Sequence, residues 1–506
     1  MALIAALAAG AGTAARANEP SGEIVFASSQ LRQQFDPTAM VAMPDYLAFD
    51  PLYDGLLNLG PQGKFPALAK SWKISEDGKT IDFTLRENVK FHNGDPFTAE
   101  DVKFTYDTLT GPNSTHSYRK GFVDSLDRIE VVSPLVVRFH LKAPWPGFFS
   151  ATRYGVQPIV PKAYYEKVGA KGFQEKPVGT GPYKLVETKA GEWNRFEANA
   201  GYWGQKPKVK TITQRLVKEQ FTLYAMLEKG EADIVNGLTG ALLERIKTNP
   251  KLKIVPSRYS GTSAIYFSKT KLPEAKDKNV RLALGMAMNR AEIASKMLNG
   301  ICEPASSIFT PATFGHLSGL QQVPYDPAKA KELLAAAGIK PGREISLALH
   351  TESFGSLPNA PQVLEALAGN LEGVGFKVTR EPYDTAAWLA MMRGGKQPTV
   401  FYGPSSSPDD GGELISGWYT KTSVWSSGNV DVPEYSEIFR DQLQAVDLKK
   451  REETLQRFAR LESQNVESIP LFWCSTTFAV GPRVSKWEPP VGTPYNFNLP
   501  SIELAK

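Results

Sequence analysis

Residues 79–110, KTIDFTLRENVKFHNGDPFTAEDVKFTYDTLT, decide how the rest of the chain is interpreted. Ile81, Phe83 and Leu85 alternate with polar residues, which is the pattern of a strand with one buried face. The dipeptides Asn-Gly and Asp-Pro at 93–96 then favour a turn, because glycine tolerates a positive φ and proline presets its own φ.

A helix is predicted directly after this turn. Thr98 has the side chain of an N-cap, and Asp101 follows three residues later, as in a capping box. Val102, Tyr106 and Leu109 recur at helical spacing. The stretch therefore predicts a strand, a turn and a helix, an order that any α/β protein can contain.

Length and composition exclude several classes of protein. With 506 residues, 42% of them hydrophobic and 22% charged, the chain is expected to be globular and soluble and to form two or three domains. Lys and Arg number 58 against 53 Asp and Glu, a net charge of +5 that is mild for this size. No basic block and no alternation of arginine with aromatic residues occurs, so we expect no nucleic-acid partner.

The order of the patterns indicates an α/β fold. Residues 23–27 predict a central strand, and 211–215, 221–230 and 232–235 predict the strand, helix and strand of a parallel unit.

Longer amphipathic helices are predicted beyond residue 266. Asn289 and Asp326 are the expected N-caps of two of them, 433–467 is mostly helical, and 470–480 predict a strand near the C-terminus.

Two cysteines, Cys302 and Cys474, lie far apart in the sequence. They could pair in an oxidising compartment. We expect two buried free thiols instead, because a chain of this size does not need a covalent staple.

The N-terminal residues 1–17, MALIAALAAGAGTAARA, are interpreted as the remnant of a secretory signal peptide. The apolar run ends in an A-x-A cleavage pattern and is too short to span a bilayer. A basic segment before Ala2 is missing, so either the start is trimmed or the true start lies upstream. An ordinary disordered N-terminus is the alternative interpretation of the whole run. A mature protein that begins near Asn18 and is periplasmic is expected, since no later run approaches the length of a transmembrane helix.

No catalytic or metal-binding pattern is found in the sequence. None of the five histidines lies in an H-E-x-x-H or C-x-x-C context, and no G-x-S-x-G elbow occurs. We therefore expect no enzyme, no metal and no cofactor; a secreted hydrolase is the remote alternative.

Read as a whole, residues 79–110 resemble the signature of extracytoplasmic solute-binding proteins that serve ABC importers. More narrowly, they are similar to the family of dipeptide, oligopeptide, nickel and opine receptors. Further segments that resemble this family are PALAKSW (66–72), GTGPY (179–183), RFEANAGYW (195–203), VRLALGMAMNRAEI (280–293) and YDPAKAKELLAAAG (325–338).

The resemblance implies a two-lobed periplasmic binding protein fold of the α/β class, with an extra subdomain in the first lobe. Ligand binds between the lobes, and hinge closure over ligands is the mechanism known for such proteins. The expected divisions are a leader remnant (1–17), lobe I in two parts (18–50 and 179–265), its inserted subdomain (51–178), lobe II (266–470) and a return to lobe I (471–506).

Three stretches are expected to line the cleft between the lobes. They are the polar loop after the first strand, the start of a helix near 354–359, and the loop GPSSSPDDGG (403–412) after a strand at 399–402. Nearby aromatic residues are expected to stack on a ring or an apolar group of the ligand. The predicted ligand-binding residues are Met43, Tyr46, Trp145, Phe354, Ser356, Asn359, Trp388, Tyr402, Gly403, Ser405, Ser406, Asp409, Asp410, Trp418 and Tyr419.

The sequence departs from the dipeptide binders of this family in its charges. Those receptors grip the peptide ammonium with an acidic residue near the position of Gly403, and the carboxylate with an arginine near Phe354. Neither charge is found there, so either Asp409 or Asp410 substitutes or the ligand is not a simple dipeptide.

We therefore expect a monomeric receptor that delivers a peptide or a peptide-like, opine-type molecule to the membrane permease subunits of an ABC importer. A sugar conjugate or phosphosugar is the alternative, which the serine run 405–407 would suit. The loop 402–410 is predicted to decide specificity, because loops on a rigid scaffold carry binding function.

Overall fold

The computed structural model describes residues 19–29, 31, 33–39, 45–60, 63–116, 119–145, 148, 157–238, 240–351, 357–406, 410–420, 425, 432–489 and 497–505. The predicted leader lies outside these residues, as do the site candidates Met43, Phe354, Ser356 and Asp409. Within the described part, no helix has both the length and the apolar character needed to cross a bilayer.

The strands are given in chain order: β1 (Ser21–Ser28), β2 (Leu57–Gly60), β3 (Gly63–Pro66), β4 (Ala69–Ile74), β5 (Thr80–Leu85), β6 (Leu126–Ser133), β7 (Val136–Leu141), β8 (Tyr183–Lys189), β9 (Trp193–Ala198), β10 (Val209–Leu216), β11 (Ile234–Asn236), β12 (Lys253–Phe267), β13 (Cys302–Pro304), β14 (Glu344–His350), β15 (Lys377–Tyr383), β16 (Val400–Ser406), β17 (Ile469–Val480), β18 (Val484–Lys486) and β19 (Glu503–Leu504).

The α-helices follow in the same way: α1 (Tyr46–Leu52), α2 (Ala99–Thr110), α3 (Arg119–Ser125), α4 (Lys162–Glu175), α5 (Gln220–Lys229), α6 (Ala241–Thr248), α7 (Lys278–Ala287), α8 (Arg290–Met297), α9 (Pro327–Ala336), α10 (Ala360–Gly373), α11 (Thr385–Arg393), α12 (Gly411–Trp418), α13 (Pro433–Gln444) and α14 (Leu448–Asn465). Short 3₁₀ turns lie at Pro273–Lys276 and Leu499–Ser501.

One long mixed sheet runs through the molecule in the order β15-β14-β16-β12-β17-β11-β1-β10-β9-β8, with β13 also paired to β17. The first strand, β1, is central and pairs in parallel with both β10 and β11. Because β10, α5 and β11 follow one another in the chain, this pairing confirms the predicted parallel unit.

The signature stretch forms part of a second, antiparallel sheet in the order β4-β5-β7-β6. Every second side chain of β5 is buried, as the alternation predicts. Asp101 accepts a hydrogen bond from the backbone N–H of Thr98 at 2.8 Å at the start of α2. Val102, Tyr106 and Leu109 of this helix are buried, so the predicted strand, cap and helix are confirmed.

Two other predicted helix starts are also confirmed. The Asn289 side chain accepts from the backbone N–H of Glu292 before α8, and the Asp326 side chain accepts from that of Lys329 before α9. Such caps satisfy a backbone donor that has no partner within the helix.

The buried apolar residues pack on two sides of the long sheet's midpoint. One set surrounds β1, β10 and the antiparallel sheet, and we call this part lobe I. The other set surrounds β14 and β16 with helices α7 to α14, and we call this part lobe II.

Strands β12 and β17 are shared by the two lobes. Near lobe I, residues 253–257 pair with 476–480, and near lobe II, residues 261–265 pair with 469–474. The register shifts between Ser257 and Gly261. A local break in the ladder bends a strand, so the connection between the lobes is a two-stranded ribbon with an irregular point in its middle.

Two sequence expectations need correction. Cys302 and Cys474 form a disulfide and are not free thiols, because β13 lies beside β17 and places the two residues directly opposite each other. The segment from Gly403, expected to be a loop, begins as a strand. β16 continues to Ser406 because it pairs with β12, and the residues Gly-Pro-Ser by themselves favour a loop.

Candidate functional site

Four aromatic side chains of lobe II stack into a column, which we call the aromatic column: Tyr266, Trp418, Trp425 and Trp388. The rings of Tyr266 and Trp418 are stacked with centroids 4.6 Å apart. Trp425 stacks between Trp418 at 6.2 Å and Trp388 at 5.9 Å. The column brings β12 together with α11 and α12, which follow it at a long distance in the sequence.

Gly403 makes this stacking possible. It lies on β16 opposite Ala264 of β12, and a Cβ atom at this position would come within 2.8 Å of the Trp418 ring and still closer to that of Tyr266. Only glycine leaves room for the two rings on this face of the strand pair. Gly403 therefore allows the rings of Tyr266 and Trp418 to pack directly against the backbone of β16.

His350, the last residue of β14, lies beside Trp388 at one end of the aromatic column. Its ring lies 5.1 Å from that of Trp388 and 5.7 Å, edge to face, from that of Tyr402. Tyr402 itself is completely buried and belongs to the core on the other face of the sheet.

The indole nitrogen of Trp388 is a buried donor. The residue is only 5% exposed, and within the described part of the chain no hydrogen-bond acceptor is placed for its Nε1 atom. Buried indole N–H groups normally have a partner, so an acceptor other than the described residues is expected for this atom.

Asp410 takes part in a buried ion pair. Its carboxylate accepts two hydrogen bonds from Arg451, at 2.7 and 2.8 Å, and a third from the backbone N–H of Gly412 at the start of α12. Gln442 accepts from the same guanidinium at 2.6 and 3.0 Å. Asp410 thus anchors the helix that carries Trp418, and its oxygens face partners within lobe II.

Tyr419 connects the column to a buried acid. Its hydroxyl lies 2.7 Å from that of Ser468, which donates to Glu462 at 2.8 Å. Burial raises the pKa of Glu462 to about 7, although the hydrogen bonds from Ser468 act in the opposite direction. This carboxyl therefore titrates near neutral pH.

On the side of lobe I, the loop after β1 is held by a polar network. Asp36 is buried and accepts from Thr38 and from the hydroxyl of Tyr165, both at 2.7 Å. The side chain of Gln174 accepts from the backbone of Phe35 at 2.8 Å. Tyr46, a predicted site residue, begins α1 and is buried against Phe49.

The remaining predicted residues lie in three places. Asn359 precedes α10 in the left-handed region and donates from its side chain to the carbonyl of Met297. Ser405 and Ser406 are strand residues whose backbones pair with Thr262 and Gly261. Trp145 lies against the antiparallel sheet of lobe I.

The structure thus brings Trp388, Gly403, Trp418 and Tyr419 into one cluster, with Tyr402 beneath it. Sequence reasoning missed Tyr266, His350 and Trp425. The pairing of β12 and of β14 with β16 places Tyr266 and His350 there, and Trp425 is placed by its stacking on Trp388 and Trp418. Among the residues that the structure describes, no three His, Cys, Asp or Glu side chains are grouped as a metal site would require.

Comparison with known proteins agrees with this architecture. The family model described as "Bacterial extracellular solute-binding proteins, family 5 Middle" matches residues 65–426. The glutathione-binding protein GsiB of Salmonella typhi is 32% identical over 345 residues, 68% of this chain and 66% of that protein. The dipeptide-binding protein of Escherichia coli is 28% identical over 405 residues, 75% of each chain.

The solved structure of HbpA2 from Haemophilus parasuis superposes with a TM-score of 0.85 at 23% identity and covers 96% of this chain and 100% of that one. The two-lobed α/β architecture is therefore that of known periplasmic binding proteins. Together with the match over most of its length, this shows that the chain belongs to family 5 of the bacterial extracellular solute-binding proteins.

Proposed function

We propose that this chain is the receptor of an ABC importer and captures a peptide or a peptide-like, opine-type molecule between lobes I and II. The observation that carries the proposal is the ribbon of β12 and β17, which joins two separately packed cores and changes register between Ser257 and Gly261 and again between Ser263 and Ala264. Such a connection permits hinge closure over a ligand. Ligand favours closure only to the extent that it makes contacts absent from the open state.

The chemistry of lobe II supports a ligand that carries an apolar or ring-containing side chain. Trp425 is the partly exposed ring of the aromatic column, and the Trp388 indole N–H is a donor for a carbonyl or carboxylate. Relatives named for dipeptides and glutathione, and a solved structure of similar fold in complex with mannopinic acid, have ligands that contain carbonyl or carboxylate groups.

The ligand's ammonium is not held by Asp410 in this proposal, because Arg451 already occupies both carboxylate oxygens. Candidate contacts remain Met43, Phe354, Ser356 and Asp409, which lie outside the described residues. Asn359 and the C-terminal end of β16 are further candidates. Asp409 is then the candidate carboxylate for a ligand ammonium, and a ligand whose amino end is modified or absent is the alternative.

The proposal also covers the organisation of the protein. In this proposal the protein acts as a monomer without catalytic turnover, is exported to the periplasm and binds the permease subunits of the importer there. Lobe I comprises 18–50 and 179–265, its subdomain 51–178, lobe II 266–470, and the chain returns to lobe I at 471–506. Members of family 5 are binding proteins, which supports the absence of an enzymatic role.

A thermal-shift screen of dipeptides, tripeptides, glutathione, opines, sugars and phosphosugars tests the ligand class. A member present at 100 times its dissociation constant should add about 2.7 kcal/mol to the free energy of unfolding. A shift with sugars or phosphosugars alone would overturn the peptide-like assignment in favour of the alternative.

The Trp388→Phe variant tests the placement of the site. It keeps a ring but removes the buried N–H, so the affinity for the best molecule of the screen, measured by calorimetry, should fall about tenfold. Trp487→Phe is the matched control, because the Trp487 indole donates to the carbonyl of Phe497 within lobe I. Equal affinities of Trp388→Phe and the wild type would remove Trp388 from the site.

A further inference from the structure

A small apolar contact joins the lobes away from the aromatic column. On lobe I it consists of Ile74, Gly78, Pro144 and Trp145, with β5 and β7 beneath, and on lobe II of Val446 and Leu448 from the turn between α13 and α14. These residues line a small cleft that is partly open to solvent. We call this contact the interlobe contact.

The fit of the interlobe contact is tight at Gly78. This residue has φ +68° in the turn between β4 and β5, and a Cβ atom there would come within 2.8 Å of Val446 Cγ2 and 3.1 Å of Pro144 Cβ. The absent side chain therefore leaves the space into which Val446 fits.

The turn that carries Val446 has a defined shape. Asp447 accepts from the backbone N–H of Lys450 at 2.8 Å and caps α14. Val446 remains 36% exposed and Leu448 48% exposed, so each side chain is only partly covered by the other lobe. A contact of this size stabilises weakly and can break and re-form.

We propose that the interlobe contact is a latch that favours the closed arrangement of the lobes without any contact to ligand. The lobes are joined in the sheet through β12 and β17, so a rotation about that ribbon separates Val446 from Gly78. The inference rests on the proposed hinge closure. Since the apparent affinity of a receptor scales with the fraction of molecules that are competent to bind, the latch raises affinity from a distance.

The test measures the distance between the lobes in the ligand-free protein by pulsed electron resonance. Spin labels are placed at Lys120→Cys on α3 and Lys296→Cys on α8, whose side chains are 86% and 72% exposed. The native cysteines are bonded to each other and do not take the label. Short distances between the labels represent closed lobes and long distances represent open lobes. Val446→Asp should lower the ratio of short to long distances about tenfold, because it removes part of the burial of one apolar side chain.

Leu443→Asp is the matched control. Leu443 lies on the same helix corner and is 38% exposed, close to the 36% of Val446, but it does not line the interlobe contact. It should leave the distances unchanged, and Val446→Ile should keep the wild-type ratio. Unchanged distances in Val446→Asp, or an equal shift in Leu443→Asp, would overturn the latch. Because no ligand is added, this result is independent of the ligand screen.

Discussion

Among single residues, Asp410 shows how burial decides between a structural and a binding role. Its two carboxylate oxygens are bonded to Arg451 in a site where the two side chains are 1% and 2% exposed. Breaking such a pair leaves one buried charge uncompensated.

We therefore predict that Asp410→Asn lowers the free energy of unfolding by about 3 kcal/mol or more, measured by denaturant titration. The control is Asp441→Asn, which removes the exposed partner of Arg457 and should cost less than about 1 kcal/mol. A variant of Asp410 with unchanged stability but lost ligand affinity would assign this carboxylate to the ligand instead.

Glu462 gives the protein a pH-dependent stability. Its pKa is about 7 in the folded chain, because of burial, against about 4.3 in an unfolded one. The folded state therefore binds this proton more tightly, and the resulting stabilisation is complete below about pH 4 and is lost as the pH rises to about 7.

The glutamine side chain of Glu462→Gln does not ionise, so the stability of this variant should not fall as the pH rises through about 7. We predict that its free energy of unfolding, relative to that of the wild type, rises by up to about 3 kcal/mol between pH 4 and pH 8. Denaturant titrations over this range measure it, with Glu453→Gln on the exposed side of the same helix as the control. A difference that does not vary with pH would contradict a folded-state pKa of about 7 for Glu462.

At the level of elements, the disulfide joins β13 to the part of β17 that packs with the core of lobe II, across 172 residues of sequence. Closing a long loop restricts the unfolded chain, which is the usual way a disulfide stabilises. We predict that Cys302→Ser with Cys474→Ser lowers the free energy of unfolding by about 2–4 kcal/mol. Reductant should destabilise the wild type similarly and leave the double variant unaffected; equal denaturation midpoints of variant and oxidised wild type would contradict this.

Local patterns were sufficient for the elements whose cause is local. The alternation in β5, the cap at Thr98 and the caps at Asn289 and Asp326 depend on neighbours within a few residues. The extension of β16 depends on its register with β12, more than a hundred residues earlier. The cysteine pairing likewise depends on β13 lying beside β17, which no local signal announces.

The candidate site was predictable only in part, for the same reason. Trp388, Trp418 and Tyr419 are aromatic residues of the predicted lobe II, and the structure groups them. Their partner Tyr266 is on another strand, and Gly403, predicted as a ligand contact, is the position on which the rings rest. The pairing of strands determines these contacts, and a single sequence carries little information about it.

For the whole molecule, the family and the N-terminal pattern make a prediction about location. Members of family 5 are extracellular solute-binding proteins. We expect fractionation of the source cells to recover the protein outside the cytoplasm, and mass spectrometry to find a mature chain that begins near Asn18. Recovery with the cytoplasm, or an uncleaved first seventeen residues, would contradict this.

The position of β17 has a consequence for the time at which the protein can fold. This strand is made of residues 469–480 of 506, yet it pairs with β11 of lobe I and with β12 and β13 of lobe II. Neither lobe can complete its sheet until nearly all of the polypeptide has been synthesised, and such distant pairings form slowly. A nascent chain of this design is expected to stay unfolded for longer, which would suit the export proposed for it.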